Sequence, residues 1–304
     1  MRELYLQQAK LVVDLLPHVA GESSFALKGG AAINMFVRDL PRVSVDIDLT
    51  YVPLAPRAES LDGISRALRS IASRVKRLLS GVEVREKASA AGAVALYVTR
   101  GSVVVKLEPN TILRGTLLPA QCRTLTAAVN SKLGTESYVS AATLSFEELY
   151  AGKICAALDR QHPRDLFDVG LLLANEGITD GVRRAFVVYL ASGDRPLHEL
   201  LAPTPKELPP ASVSEFAGMT DAPVSVDELV TVRKSLVRRI TEGLSPDERR
   251  FLLSLKHGEP EWDLLGFDGL ERLPALQWKL TNIRRMDPRK RAEAEGKLKA
   301  VLGL

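Results

Sequence analysis

The residues best suited to chemistry stand near the N-terminus, as Lys28-Gly29-Gly30-Ala31 and then Asp46-Ile47-Asp48-Leu49. On a strand, residues two apart point the same way. Asp46 and Asp48 then present two carboxylates on one face, while Ile47 and Leu49 turn to a core. Carboxylates held together repel one another unless a cation lies between them. Mg²⁺, and Mn²⁺ by the same donor chemistry, takes one or two such groups and completes its shell with phosphate oxygens and water. Gly29-Gly30 lets backbone approach phosphates closely, and the N-terminus of a helix beginning at Ala31 favours bound anions. Together these parts describe a site for a metal-bound nucleoside triphosphate. A lone Asp-x-Asp or Gly-Gly pair is commonplace; Gly-Gly, a helix and then Asp-x-Asp on a strand is a much narrower pattern.

The elements that must position these residues can be read from periodicity. Apolar side chains at helical spacing predict a helix over 3–20, and the short apolar run Phe25-Ala26-Leu27 stops at the glycines. A helix is expected over 31–40, a strand over 45–51 and a basic-faced helix over 60–79. Strands follow at 82–84, 93–99 and 102–108, the last two joined by a turn at Arg100-Gly101. Beyond about residue 140 the pattern becomes helical. Ser145 with Glu148 forms a capping-box sequence that opens a helix to about Arg160, and Pro163 starts another that ends near Gly177. Six of the seventeen prolines fall in 194–223, which reads as a long irregular connection. The expected architecture is α+β and bilobed: a mixed sheet with helices over 1–135 and a mostly helical domain over 136–304.

The stretch FALKGGAAINMFVRDLPRVSVDIDLTY (25–51) matches the general pattern of the DNA polymerase β-like nucleotidyltransferase fold. More closely, it resembles the first motif of the AbiEii-type toxins, nucleotidyltransferases of bacterial type IV toxin–antitoxin systems, with Arg42, Ser44, Asp46 and Asp48 standing as R-x-S-x-D-x-D. A second block, SFEELYAGKICAALDRQHPRDLFDVGLLL (145–173), is similar to that family's helical signature through Glu148, Lys153, Arg160, Arg164, Asp165 and Asp168. Residues 251–280 also resemble the C-terminal region of the longer members. Residues 52–100 and 178–245 lie outside the resemblance.

The resemblance implies that Asp46 and Asp48 hold the metal, and that Lys28, Gly29, Gly30, Ser44, Arg164 and Asp165 bind the nucleotide. It also implies that Lys153 and Asp168 act in catalysis. The residues themselves allow this. Lys153 lies mid-helix beside Ala156 and Ala157, small enough to let a long cation reach the partner lobe and meet triphosphate charge. A helix-surface lysine is the plainer alternative. Asp165 and Asp168 share a helix face, although Asp165 also suits the helix N-terminus and a pair with Arg164. Enzymes of this fold often carry a third metal carboxylate, for which Glu108 is the candidate; standing before Pro109, it equally suits the end of a strand. In some relatives the serine matching Ser44 is a regulatory phosphorylation site.

The chain has 304 residues, 46% of them hydrophobic and 26% charged, with no apolar run long enough to span a bilayer and no signal-peptide pattern at its start. A cytoplasmic monomer with no membrane partner is expected. Cys122 and Cys155 read as small core residues, too few for a disulfide framework. His18, His162, His198 and His257 have no ligand spacing, which argues against zinc and a histidine triad. Trp262 and Trp278 read as core anchors, or as base-stacking surfaces if exposed. The net charge is +4, but residues 275–304 alone carry +5, from eight Lys/Arg against three acids. Such an end suits a polyanion or a solvated helix face.

The reading that follows is a Mg²⁺-dependent nucleotidyltransferase acting as a toxin. By resemblance the acceptor is RNA, at the tRNA 3′ end, and a cognate antitoxin and a role in phage resistance are implied. Two alternatives stay open: an enzyme that AMPylates protein hydroxyls, and a nucleotide- or RNA-binding module without catalysis. A hydrolytic nuclease would leave the Gly-Gly loop unexplained.

Overall fold

A computed structural model of the chain describes residues 1–90 and 92–304. They form two compact units. The first comprises Met1–Ser145 together with Glu215–Pro223, and the second comprises Phe146–Ser214 and Val224–Leu304.

The first unit is built on one seven-stranded mixed sheet. Its strands are β1 (Phe25–Lys28), β2 (Asp46–Tyr51), β3 (Glu83–Ser89), β4 (Gly92–Arg100), β5 (Val103–Asn110), β6 (Gln121–Thr124) and β7 (Ser140–Thr143), ordered β3-β4-β5-β2-β1-β7-β6. The predicted hairpin is present: β4 and β5 pair antiparallel from Arg100 opposite Val103. β2 is central, antiparallel to β1 and parallel to β5. It alternates as expected, with Ile47 and Leu49 fully buried and Asp46 and Asp48 half-exposed. Helices α1 (Glu3–Ala20) and α3 (Arg57–Leu78) touch one another and pack on the sheet, through β5 and β7 and through β4 respectively. Leu11, Val12, Leu15 and Leu16 of α1 and Ile64, Leu68 and Ile71 of α3 are almost wholly removed from water, each worth about 1.5–3 kcal/mol of transfer free energy.

Three local expectations are corrected. The helix predicted over 31–40 begins earlier, as the single turn α2 (Gly29–Ala32). It then widens into a π-turn, Ile33–Val37, in which the Arg38 N–H donates to Ile33 O at 2.8 Å. Leu40 at φ +49° closes it beside Pro41, a residue that disfavours right-handed helix immediately before it. β6, β7 and helix α4 (Ala127–Leu133), which the pattern did not announce, continue the sheet unit past residue 135 to Ser145. Strands this short carry too little alternation to be read. The proline-rich stretch 194–223 is not wholly irregular: it contains α8 (Leu197–Leu201) and α9 (Pro210–Ala217), and its end docks on the first unit. There the Val43 N–H donates to Met219 O at 2.9 Å, Arg42 bridges Thr220, and Lys132 pairs with Asp221 at 2.6 Å.

The second unit is helical: α5 (Phe146–Asp159), α6 (Pro163–Ala174), α7 (Asp180–Ser192), α8, α10 (Val226–Gly243), α11 (Pro246–His257), α12 (Pro274–Arg285) and α13 (Pro288–Leu302). α5 packs on α6 and α7, α10 on α6, and α11 on α7 and α13. Tyr150, Phe186 and Phe251 are its largest fully buried side chains. Ser225 and Ser245 each close a full capping box, with Glu228 and Glu248. Glu248 also takes two hydrogen bonds from Arg183 Nε, at 3.0 and 2.9 Å. No helix of the described residues is long and apolar enough to cross a membrane. Cys122 is exposed on β6 rather than part of a core; the Cys155 thiol is pushed far up by burial.

Candidate active site

The register of the sheet brings most of the predicted residues of the first unit into two rows. Lys28 of β1, Asp48 of β2 and Glu108 of β5 stand opposite one another across three strands. The neighbouring row places Asp46 opposite Lys106, and Lys106 opposite Tyr97 of β4. Residues directly opposite on paired strands share a face, so two lysines and three carboxylates populate one patch. The Lys106 ammonium lies 2.5 Å from Glu108 Oε2, and this bond, outweighing a smaller burial effect, raises the Lys106 pKa; Asp46 nearby adds to the rise. Glu108 is therefore both the last charged residue of its strand and the neighbour of Asp48. Lys106 is the member of the patch to which the sequence assigned no role; its signal was strand alternation, which puts it on the same face as Glu108.

The glycines abut the carboxylates. Gly29 has φ +66°, and a Cβ placed on it would land on Asp48 Oδ2. A Cβ on Gly30 would lie 2.8 Å from Ser44 Oγ and 2.9 Å from Arg42 Nη2. Both glycines thus let the turn lie close, Gly29 against Asp48 of β2 and Gly30 against Arg42 and Ser44 in the segment just ahead of that strand. Arg42 and Ser44 are buried, at 3% and 7% exposure, and Arg42 Nη1 donates to Val43 O at 2.9 Å. The Asn34 side chain donates to Gly30 O at 3.0 Å and braces the turn from the π-turn behind it. The docked segment 215–223 holds Arg42 and Val43 extended just ahead of Asp46. No short-range sequence signal could have shown that contact.

These donors fit a divalent cation of the hard, oxygen-seeking kind. Among the described residues no group of three or more His, Cys, Asp and Glu side chains forms a metal cage by itself. Mg²⁺ brought in with a triphosphate does not need one, since it keeps only one or two carboxylates and fills its shell from phosphate and water. Gly29 is the observation that favours this fit: it leaves the Asp48 carboxylate uncovered by any side chain of the turn.

In the second unit, α5 and α6 gather the other predicted residues. Lys153 is 7% exposed, and its ammonium lies 3.1 Å from Asp165 Oδ1 and 3.0 Å from Asp168 Oδ2. Asp168 is fully buried; Asp165 also pairs with Arg160 at 2.8 Å. The partner expected for Asp165 was Arg164. Pro163 at the first helical position turns Arg164 elsewhere, where its N–H donates to His162 Nδ1 at 3.2 Å and its half-exposed guanidinium makes no ion pair among the described residues. Lys153 is thus no surface lysine. Glu148 is buried too and accepts from Tyr189 Oη at 3.1 Å, a contact that, after burial, raises the phenol's pKa.

A mixed sheet with an Asp-x-Asp strand packed against a Gly-Gly turn, and a helical unit after it, defines the nucleotidyltransferase-type toxin fold. Residues 10–282 match the family described as "Nucleotidyl transferase AbiEii toxin, Type IV TA system", and the chain belongs to that family. Among solved structures it is similar to MenT4, a nucleotidyltransferase toxin from Mycobacterium tuberculosis H37Rv. That likeness has a TM-score of 0.61 at 19% identity, over 99% of this chain and 95% of that one. JHP933 from Helicobacter pylori aligns over 80% of this chain and 96% of its own, with a TM-score of 0.45 at 15% identity. No curated protein matches the sequence. Membership of a type IV toxin–antitoxin family implies a cognate antitoxin.

Proposed function

We propose that this chain is an active, Mg²⁺-dependent nucleotidyltransferase that moves a nucleoside monophosphate from an NTP to RNA, at the 3′ end of tRNA, with release of pyrophosphate. The observation that supports it best is the Gly29 turn seated against Asp48, with Asp46 and Glu108 alongside. Asp46 and Asp48, with Glu108 beside them, would hold the metal, which when bound neutralises phosphate charge. An acceptor hydroxyl oxygen, giving up its proton to solvent, forms a bond to the α-phosphorus while the bond from that phosphorus to the bridging oxygen of pyrophosphate breaks. Chemistry of this kind is mainly positioning and charge matching.

The chain's own residues supply both. Lys28 and Lys106 flank the carboxylates with positive charge for phosphate oxygens, and the backbone of Gly29 and Gly30 gives close access. Within the helical unit the Lys153 ammonium is held between Asp165 and Asp168; a nucleotide-binding part for it and for Arg164 rests on the family resemblance. Ser44, buried against Gly30, can accept or donate one hydrogen bond at the turn; a phosphoryl group on it would force the turn away from the strand.

The test is label transfer from α-labelled NTPs into total RNA and total protein, with tRNA oxidised by periodate as a parallel acceptor. Label in tRNA that disappears when the 3′ diol is destroyed is the expected result. Label on protein, or on oxidised tRNA equally, would refute the acceptor.

A further inference from the structure

The helical unit holds a second site-like feature. A pocket of about 300 Å³ opens between α12, α13, the 192–198 segment and the end of α11, at the small end of the roughly 300–1,000 Å³ range in which small ligands are held. Its lining combines an apolar floor from Ile283, Met286 and Ala294 with four lysines, Lys256, Lys279, Lys290 and Lys297. Trp278 stands at its side, 55% exposed, and so takes the second of the two readings the sequence allowed, a stacking surface rather than a core anchor.

The acids nearby are fewer and largely engaged. Glu293 pairs with Lys297 at 2.7 Å, Glu295 with Lys299 at 3.0 Å, and Asp194 is the other carboxylate of the lining. Lys290 and Lys256 are in no salt bridge among the described residues, although Glu295 also acts on Lys256, whose pKa is lowered by burial. Lys279 is tied by its ammonium to Gly193 O at 2.6 Å and Arg195 O at 3.2 Å. Burial first, and then the charge of Lys256, lower its pKa to about 8. It is still mostly charged at neutral pH, beside a second ammonium that repels it. An anion entering the pocket would relieve that repulsion.

We infer that this pocket binds a nucleoside phosphate, with the base against Trp278 and the phosphate among Lys256, Lys279 and Lys290. A flat apolar ligand alone would not use the lysines, and a simple anion would not use the exposed indole; a nucleotide uses both. The nucleotide comes either free or as an unpaired residue of RNA. The second source rests on the RNA acceptor proposed above.

The test uses the full chain in EDTA without NTP, so that the carboxylate site plays no part. Binding of a fluorescein-labelled oligoadenylate is followed by anisotropy, and AMP is added as competitor. Trp278→Ala and Lys290→Glu change exposed side chains, and each is expected to weaken binding about 10-fold. Asp46→Asn is expected to bind as wild type. Competition by AMP assigns the pocket to a free mononucleotide as well; loss in the variants without AMP competition assigns it to a nucleotide within a strand. Unchanged affinity in Trp278→Ala overturns the inference, even if the lysine variant weakens, because only general attraction to polyanions would remain. Absence of oligoadenylate and AMP binding in wild type also overturns it. Failure of nucleotidyl transfer with the pocket still binding would sink the catalytic proposal alone.

Discussion

Gly29→Ala separates the cost of a backbone conformation from the cost of disturbing the carboxylates. Gly29 sits at φ +66°, where an L side chain costs about 1–2 kcal/mol. For a unit of about 150 residues that lowers Tm by roughly 2–8 °C. Gly101 is at φ +58° with nothing within 4 Å of a Cβ placed there, so Gly101→Ala incurs the backbone cost alone. At Gly29 the new methyl meets Asp48 Oδ2, with Asp48 Cβ and Cγ each at 3.1 Å. Either the carboxylate rotates away or the turn lifts from β2. A displacement near 1 Å at a reacting centre costs on the order of 10²-fold in rate. The assay is thermal denaturation and NTP incorporation on both variants in parallel. A loss of Tm at least as large as that of Gly101→Ala is expected for Gly29→Ala, and a drop of about 100-fold in turnover for Gly29→Ala only. Turnover of Gly29→Ala within threefold of Gly101→Ala would refute the reasoning that the turn is shaped around Asp48.

The remaining predictions concern the other charged groups. Asp168→Asn leaves the buried Lys153 with one of its two carboxylates, and is expected to cost about 3–5 kcal/mol in urea unfolding; a change below about 0.5 kcal/mol would show that the cluster is not energetically coupled. Glu108→Gln removes the partner of Lys106 and should raise the Mg²⁺ concentration for half-maximal activity about 10-fold if the carboxylate joins the metal set, whereas an unchanged metal requirement would leave it the role of a strand end. Lys279 has its folded-state pKa lowered to about 8 from 10.5. Between these values the unfolded chain binds more protons, so stability rises with pH through that window and is flat below it. Lys279→Met should therefore lose this rise, so that its stability relative to wild type falls by up to about 3 kcal/mol between about pH 7 and pH 10. A difference constant across the range would contradict the shift.

Much of the site was legible because it is local. Strand alternation put Asp46 and Asp48 on one face and Ile47 and Leu49 in the core, as the structure has them. The spacing of α5 and α6 suggested that Asp165 and Asp168 share a face, and both reach Lys153. What the sequence could not show depends on distant chain. The pairing of β2 with β5, which sets Glu108 opposite Asp48 and Lys106 opposite Asp46, joins strands some sixty residues apart. The return of 215–223 to brace Arg42 and Val43 lies farther still. The π-turn after Gly30 escaped because its apolar spacing is nearly that of an α-helix; only Leu40 and Pro41 break it. For Trp278 the sequence left a core anchor and an exposed stacking surface both open, because an indole at helical spacing suits either until the neighbouring helices are known; it is exposed.

The central claim is that Asp46 and Asp48 carry nucleotidyl transfer. It is tested most directly by incorporation from α-labelled NTPs with Mg²⁺, comparing wild type with Asp46→Asn. Asparagine keeps the shape of the half-exposed side chain and removes its charge, so the circular dichroism and Tm should be preserved. The account predicts labelled RNA and released pyrophosphate from wild type, and a loss of at least about 100-fold in the variant. Equal incorporation by the two folded proteins would contradict it.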